Sequence, residues 1–273
     1  MSFTLRSFSS NEDFEACVEL QKLTWGQDFS DVVPLSILKI GQKAGGVAAG
    51  AFAPDGQMLG FVWGLTGIRD RRPFHWSHMA AVRPGTRDTG IGHALKLYQR
   101  KLLLEMGVEE VEWTYDPLES RNANLNLNKL GADVKEYVED MYAGEMGSEL
   151  ARGIGTDRFI VSWKIASPKV IERVSGHRPD LAATAERFRD APVIGLEAAE
   201  EGAPPLPDAP LLRVAIAEDI QAVKEERPDE AAAWRQSTRR AFVRYLPPHG
   251  HYRVEAFLRD PASPLSYYCL VAP

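Results

Sequence analysis

The segment that most constrains this chain is Val82-Arg83-Pro84-Gly85-Thr86-Arg87-Asp88-Thr89-Gly90-Ile91-Gly92. It lies between a strand-like run, Ser77 to Val82, and a stretch with helical apolar spacing at Ile91, Leu95, Tyr98 and Leu102 that ends at Gly107. A strand, a glycine-rich turn and a helix in that order leave the first N–H groups of the helix unpaired and aimed outward. The helix dipole favours negative charge there, and glycines let an anion approach the backbone. A pyrophosphate fits such a turn. No Gly-Lys-Ser/Thr follows, so the segment is not a P-loop, and its glycine spacing is not that of a dinucleotide-binding Rossmann turn. Taken alone, Arg87-x-x-Gly90-x-Gly92 also suits a plain turn into a surface helix.

On either side the chain alternates strands and helices. Phe3 to Phe8 alternates, Ser10 or Asn11 can cap a helix carrying Phe14, Cys17, Val18 and Leu20 to Leu23, and a second helix is expected at Pro34 to Gln42. Gly46 to Phe52 meets Met58 to Gly64 across Pro54-Asp55-Gly56, a strong hairpin signal. Val108 to Tyr115 makes the next strand, Asn122 to Leu130 a short helix stopped by Gly131, and Val134 to Tyr142 and Arg158 to Ile165 two closing strands. The order β-α-α-β-β-β-α-β-α-β-β describes one α/β (α+β) layer structure.

From Ser167 the pattern changes. A polar helical stretch, Leu181 to Phe188, leads to Ala203-Pro204-Pro205-Leu206-Pro207-Asp208-Ala209-Pro210, which has the composition of a linker. Strand (Leu211 to Ala217), helix (from Asp219 or further on to about Tyr245) and two strands (Tyr252 to Leu258, Tyr267 to Val271) follow. The expected division is therefore 1–166, a helical and proline-rich linker at 167–210, and a β-α-β-β appendage at 211–273. That appendage is either an eroded second copy of the first domain's opening or an independent β-α-β unit. With so few elements it needs a surface to pack on, in its own chain or, in a homodimer, on a second copy.

Composition narrows the function classes. Lys and Arg number 32 against 38 Asp and Glu, a formal charge of -6, so there is no basic field to drive nucleic-acid or anionic-membrane binding. A small-molecule substrate is the expected partner. No apolar run approaches the roughly 20 residues a spanning helix needs. Two cysteines far apart, Cys17 and Cys269, and an opening without a basic-then-apolar leader point to a reducing, cytoplasmic setting. The His residues show no ligand spacing, and no metal is expected.

With this order of elements, Arg87-x-x-Gly90-x-Gly92 after the fourth strand resembles the GNAT superfamily of acyl-CoA-dependent N-acyltransferases, over residues 3 to 165. The run Asn122-Ala123 to Lys129-Leu130-Gly131-Ala132 is similar to a second motif of that superfamily. The resemblance implies a mixed, mainly antiparallel sheet splayed between its fourth and fifth strands, with acyl-CoA (acetyl-CoA or succinyl-CoA) as co-substrate. It places pantetheine along Met79, Ala80, Ala81 and Val82, pyrophosphate at Arg87, Asp88, Thr89, Gly90, Ile91 and Gly92, and further CoA contact at Asn122. Ser77-His78-Met79, Asp116-Pro117-Leu118, Arg121-Asn122-Ala123, Tyr142-x-Gly144-Glu145-Met146 and Thr156-Asp157-Arg158 together resemble a narrower group. Its members are predicted GNAT acyltransferases found beside N-acylamino acid racemases and associated with N-acylation, particularly N-succinylation, of amino acids. The implied activity is transfer of an acetyl or succinyl group to the amine of a small molecule, an amino acid first among the candidates. The alternative is a non-catalytic acyl-CoA sensor.

One departure bears on mechanism. Many members of the superfamily carry a Tyr two residues before the Lys of Lys-x-Gly to protonate the leaving thiolate, and here Leu127 stands there. Tyr142 is the substitute from the next strand, or the thiolate leaves unassisted. The attacking amine needs a base. His78, four residues before the strand's end, is the first candidate, and a sheet-bonded or solvent-facing imidazole is the alternative. Glu112 is the second. It shares a strand face with Thr114 and Asp116, which either line the substrate cleft or form an ordinary polar face. The backbone N–H of Met79 or Ala80 is the expected donor to the tetrahedral oxyanion. Arg158 is expected either to fork onto a substrate carboxylate or to make a surface ion pair.

Overall fold

A computed structural model describes residues 2–86, 88–144, 147–259 and 263–273. The chain runs β1 (Thr4–Ser7), α1 (Asn11–Trp25), α2 (Leu35–Lys43), β2 (Val47–Phe52), β3 (Met58–Arg69), β4 (Arg72–Val82), α3 (Ile91–Glu105) and β5 (Glu110–Tyr115). Next come α4 (Ser120–Ala123), which passes into a π-helical turn (Asn124–Lys129), β6 (Asp133–Val138) and β7 (Arg158–Lys164). The remainder is α5 (Pro168–Val174), α6 (Leu181–Arg187), β8 (Val193–Ile194), a 3-10 turn (Leu196–Ala199), β9 (Leu211–Ala217), α7 (Ile220–Glu226), α8 (Pro228–Tyr245), β10 (Arg253–Arg259) and β11 (Leu265–Val271). The expected order through residue 165 is the observed one, in a mixed α/β fold whose strands pair mainly antiparallel.

Two compact units divide the chain, and they do not follow the boundaries expected at 166 and 210. The first holds Met1–Trp113, Met146–Leu150 and Trp163–Ile171; the second holds Thr114–Glu145, Ala151–Ser162 and Glu172–Pro273.

In the first unit β1, β2, β3 and β4 pair antiparallel in sequence order, and β5 joins β4 in parallel. The β3–β4 hairpin is longer than the sequence pattern suggests, with pairs continuing from Leu65↔Trp76 to Arg69↔Arg72. Its turn residues Asp70 and Arg71 have φ of 52° and 65°, the left-handed geometry of a tight two-residue hairpin turn. Charged residues at Arg69 to Arg72 hide these outer rungs from a hydrophobic pattern; pairing with the neighbouring strand extends them. Phe14, Cys17 and Leu20 of α1 and Leu38 of α2 pack on Phe61, Trp63, Met79 and Ala81 to form the core of this unit. The entry to α1 is fixed by Asp13, whose side chain reaches back to the Ser9 N–H at 2.8 Å and takes the Arg6 guanidinium on both oxygens at 2.6 and 2.7 Å.

In the second unit β6 pairs antiparallel with β7, and β10-β11-β9-β8 form a separate sheet. Its centre is aromatic: Phe159 and Phe242 lie 4.7 Å apart, with Tyr268 at 5.3 and 5.5 Å from them. Part of the stretch expected to be linker belongs to this sheet, since Val193 and Ile194 pair in parallel with Arg213 and Val214. The expected long helix from Asp219 is two helices, because Pro228 lacks an N–H and starts α8 at its first turn. The strand expected to reach Tyr142 ends at Val138, and positive φ at Asp140 (39°) and Ala143 (51°) turns the chain there. Both cysteines are buried thiols, and no helix among the described residues is long and apolar enough to cross a membrane.

Hydrogen bonding to Arg6 is the main reason that the Asp13 carboxyl sits at about 2, below its ordinary 3.8. A depressed carboxyl stabilises the fold above its unfolded pKa and loses that contribution as pH falls through the folded value. Asp13→Asn is therefore expected to cost on the order of 1 kcal/mol near pH 7, allowing for the exposure of Arg6. Melting curves should show the gap from wild type closing as pH falls from the ordinary value of 3.8 towards about 2.

Candidate functional site

The parallel pairing of β4 with β5 runs from Phe74↔Glu110 to Trp76↔Glu112, whereas β4 continues to Val82. At the same point the register with β3 shifts. Leu65↔Trp76 is followed by Trp63↔Met79, so β4 carries one extra residue at Ser77-His78. This bulge changes which way the strand faces. Ser77 points to α3 through Gln99 and Lys96, whereas Met79 and Ala81 enter the core beneath α1 and α2.

Antiparallel pairing sends alternate N–H groups to opposite sides of a strand. Arg83 N donates to Leu59 O at 2.8 Å, so the alternation gives Ala81 and Met79 to β3 and turns the N–H groups of Ala80 and Val82 away from it. Those two point to the side on which pairing with β5 has ended. Of Met79 and Ala80, the two expected as oxyanion donor, Ala80 is the one whose N–H the register turns away from β3. His78 is exposed, with its ring 5.6 Å from the Trp63 ring and edge-on to it. Burial of that inner edge lowers the His78 pKa from its ordinary value, and Asp31 acts in the opposite sense.

Beyond Val82 the chain turns through Gly85 (φ 83°), Asp88 (φ 64°) and Gly90 (φ 86°) into α3. Gly90 has open space where a side chain would stand and supplies the left-handed residue ahead of the helix. Thr86 Oγ1 and Thr89 Oγ1 donate to Arg83 O and Thr86 O, at 2.9 and 2.7 Å, so the turn is self-braced. The first helical bond, Ala94 N to Gly90 O at 3.0 Å, leaves the N–H groups of Ile91 and Gly92 ahead of the helical ladder. Ile91 itself is buried. Asp88, Thr89 and Gly90 are exposed, and Arg87 lies outside the described residues.

Glu112 is buried in the first unit and bound on both oxygens by Arg69, at 3.0 and 2.7 Å. A carboxylate held by a guanidinium fork is a weak proton acceptor.

Behind the bulge, on the α3 side, lies a buried polar network that sequence pattern does not show. Lys96 Nζ donates to Ser77 Oγ at 2.8 Å and to Gln99 Oε1 at 3.2 Å, and lies 3.9 Å from the Trp113 ring centre. The Gln99 amide donates to His75 Nε2 at 3.0 Å, which assigns the proton to Nδ1, facing Thr66 Oγ1 at 2.9 Å. Burial, with the Lys96 charge nearby, pushes His75 down to about 3; burial pushes Lys96 down to about 7.

The remaining candidates belong to the second unit. Tyr142 stands in the turn after β6, with its hydroxyl 2.9 Å from Thr114 Oγ1. Asp116 Oδ1 accepts from Leu118 N at 2.8 Å, and its Oδ2 lies 3.5 Å from Arg158 Nη1. Arg158 Nη1 also donates to Asp157 O at 2.8 Å. Asn122 is exposed on α4, and Leu127 is buried in the π-helical turn. Two residues absent from the sequence reading complete this cluster. Arg235 Nη2 donates to Asp116 Oδ2 at 2.5 Å, and Arg239 holds both Asp157 oxygens, at 2.9 and 2.5 Å. Burial alone would raise the Asp157 carboxyl, but Arg239, Arg235, the Tyr137 hydroxyl and the Asp140 N–H overcome it and leave the group below its ordinary value. A signal did exist: Arg235 sits between Ala231, Thr238 and Phe242 on the buried stripe of α8, where an arginine needs a partner. Among the described residues no group of three His, Cys, Asp or Glu is placed to hold a metal.

No protein-family model matches the sequence, and no curated protein matches it closely enough to count as a relative. Solved structures similar in fold include the ribosomal-protein-S18-alanine N-acetyltransferase from Escherichia coli, 17% identical over 61% of this chain and 96% of that one, with a TM-score of 0.47. The PaiA N-acetyltransferase from Thermoplasma acidophilum, in complex with coenzyme A, is 20% identical over 60% of this chain and 99% of its own, with a TM-score of 0.44. A chain of the NatC complex bound to Gag peptide and CoA is 14% identical over 60% and 99%, with a TM-score of 0.49.

Lys96 gives a test of the buried network. Its folded pKa of about 7 lies below the ordinary 10.5, so the unfolded chain binds more protons between them and wild-type stability rises with pH across that window. Lys96→Met should raise the melting temperature most at or below about pH 7, with the gain shrinking towards the ordinary lysine value of 10.5. A gain that does not vary with pH would show that Lys96 is not buried as a poorly compensated cation.

Proposed function

We propose that this chain is a CoA-dependent N-acyltransferase of the GNAT type. The observation that carries the reading is the path of β4: it bulges at Ser77-His78, parts from β5 after Trp76, and leads through left-handed Gly90 into the open first turn of α3. A strand edge with outward N–H groups suits an amide-bearing pantetheine arm. The N–H groups at a helix start suit a pyrophosphate. The Arg87-x-x-Gly90-x-Gly92 motif and the Asn122 to Ala132 run support the same reading.

The chemistry assigned to these residues is direct attack. His78, or water leading to it, removes the proton from the ammonium form of the acceptor. The amine nitrogen forms a bond to the thioester carbon, and the carbonyl oxygen, gaining charge, accepts a hydrogen bond from Ala80 N–H. Collapse of the intermediate breaks the C–S bond, and the amine's second proton leaves to solvent. The thiolate is a good leaving group with an ordinary pKa of about 8.5, so buried, apolar Leu127 in the place of the family's Tyr does not forbid the step. The hydroxyl of Tyr142, the substitute acid suggested by the sequence, is engaged with Thr114. The acceptor is assigned as an amino acid and the donor as acetyl-CoA or succinyl-CoA, on the combined blocks from Ser77-His78-Met79 to Thr156-Asp157-Arg158.

Free CoA, acetyl-CoA and succinyl-CoA are each expected to raise the melting temperature, with thiol release when pooled D- and L-amino acids are added. Stabilisation without release on any amine would support an acyl-CoA sensor instead, a reading that Leu127 favours. Absence of stabilisation at concentrations far above micromolar would remove the proposal's basis. Within it, His78→Ala should lower turnover by roughly 100-fold or more and leave acetyl-CoA affinity unchanged. Unchanged turnover would transfer the base role to water.

A further inference from the structure

The ion cluster of the second unit has a charge imbalance at its inner end. Asp116 Oδ2 is shared by two guanidiniums, Arg235 Nη2 at 2.5 Å and Arg158 Nη1 at 3.5 Å. Asp157 acts on Arg235 through its field, but its side-chain bonds go elsewhere: Arg239, itself shared with Asp140 at 3.1 Å and Glu139 at 3.6 Å, holds both of its oxygens, and the Tyr137 hydroxyl donates to it as well. Arginine stays charged at any ordinary pH, so Asp116, Arg158 and Arg235 together keep one positive charge. Arg235 also donates through Nε to Ile154 O at 2.6 Å, but its Nη1 is buried with no acceptor. Buried donors without acceptors are rare in folded proteins and call for an explanation.

The accessible rim of the cluster is suited to an anion. Only 5% of the Arg235 side chain is exposed, against 17% of Arg158, so a ligand meets Arg158 first. Arg158 lies 5.4 Å from the centre of the Tyr142 ring, and the Tyr142 and Thr114 hydroxyls stand together beside it. A guanidinium edge with two adjustable hydroxyls matches the lone pairs of a carboxylate. Were Arg235 absent, Arg158 and Asp116 would neutralise each other and the rim would have no preference for an anion.

We infer that Arg158 and Arg235 form a carboxylate-selecting site, in which Arg158 takes the carboxylate and Arg235, from α8, is the positioning residue that fixes Asp116 and supplies the second positive charge. The acyltransferase reading is needed only to say which molecule brings the carboxylate: an amino-acid acceptor through its α-carboxylate, or a dicarboxylic acyl donor through its distal one.

Calorimetric titration of the full chain with succinate and with an N-acetyl-amino acid tests the site without any acyl transfer. Wild type is expected to bind at least one of these probes. Arg235→Gln and Arg158→Gln should each weaken binding roughly tenfold or more, and Arg235→Lys should restore part of it. Asp116→Asn, which removes the negative charge and keeps the shape, should tighten binding, an effect that loss of a structural contact does not produce. It also decides the matter if the Arg235 variants fail to fold. Acetyl-CoA affinity should be unchanged throughout. In turnover, Arg235→Gln should lower kcat/KM for an amino acid but not for its decarboxylated amine if the acceptor brings the carboxylate. It should lower kcat/KM for succinyl-CoA but not acetyl-CoA if the donor does. Failure of wild type to bind either probe, weaker binding in Asp116→Asn, or equal losses with and without the carboxylate would overturn the inference. Probe binding that responds as expected in a protein that transfers no acyl group would refute the acyltransferase reading and leave this site standing.

Discussion

The ending of the β4–β5 pairing at Trp76↔Glu112 is the constraint on which the rest of the first unit depends. A parallel strand that stayed paired to its end would use every N–H and C=O of β4 on its neighbours. Here the bulge at Ser77-His78 bends the strand at the same position, so that Ala80 and Val82 turn N–H groups to an unpaired side. Continuing along the chain, the strand delivers its direction to a turn whose left-handed glycine sets the start of α3. Backbone donors are thus supplied twice within a short stretch, along a strand edge and at a helix start. Backbone groups cannot swing away from a ligand as long side chains can, which is why the proposed ligand is an extended molecule carrying both amides and phosphates.

Both units bury charge in an unusual way. In the first, Lys96 lies under the bulge with a hydroxyl, an amide and an indole face as its partners, and the cost of burying it shows as a lysine pKa of about 7. Its hydrogen bonds connect Ser77, inside the bulge, to the helix that begins at the glycine turn, so the irregular point of the strand is braced by polar contacts rather than by apolar packing. In the second unit, α8 directs Arg235 and Arg239 inward from one helical face, and each captures a carboxylate that lies far away in sequence. Burying a guanidinium is costly unless it is paired, so Arg235 and Arg239 each depend on the carboxylate they meet.

Parts of this were legible in the sequence for clear physical reasons. Glycine at Gly90, the apolar spacing from Ile91 to Leu102 and the Asp55-Gly56 hairpin are local signals, and the structure follows them. The outer rungs of the β3–β4 hairpin were not legible, because charged Arg69 to Arg72 carry no apolar alternation, and the long pairing that absorbs them is set by the facing strand. Nor was the bulge, since register is a property of two strands together. His78, Ala80 and the α3 start could be placed from sequence, but which of Met79 and Ala80 turns its N–H away from β3 needed the hydrogen-bond phase of the ladder. Arg235 stood in view on an apolar helical stripe, yet its partner Asp116 is more than a hundred positions earlier, a relation no local pattern contains.

Amide hydrogen exchange with and without acetyl-CoA tests the central claim most directly, because it reads the backbone groups themselves. The ligand is expected to slow exchange at Ala80, Val82, Ile91 and Gly92, with little change along the β3-facing amides of Met79 and Ala81. Protection elsewhere in the chain with those four amides unaltered, or no protection at saturating ligand, would contradict it.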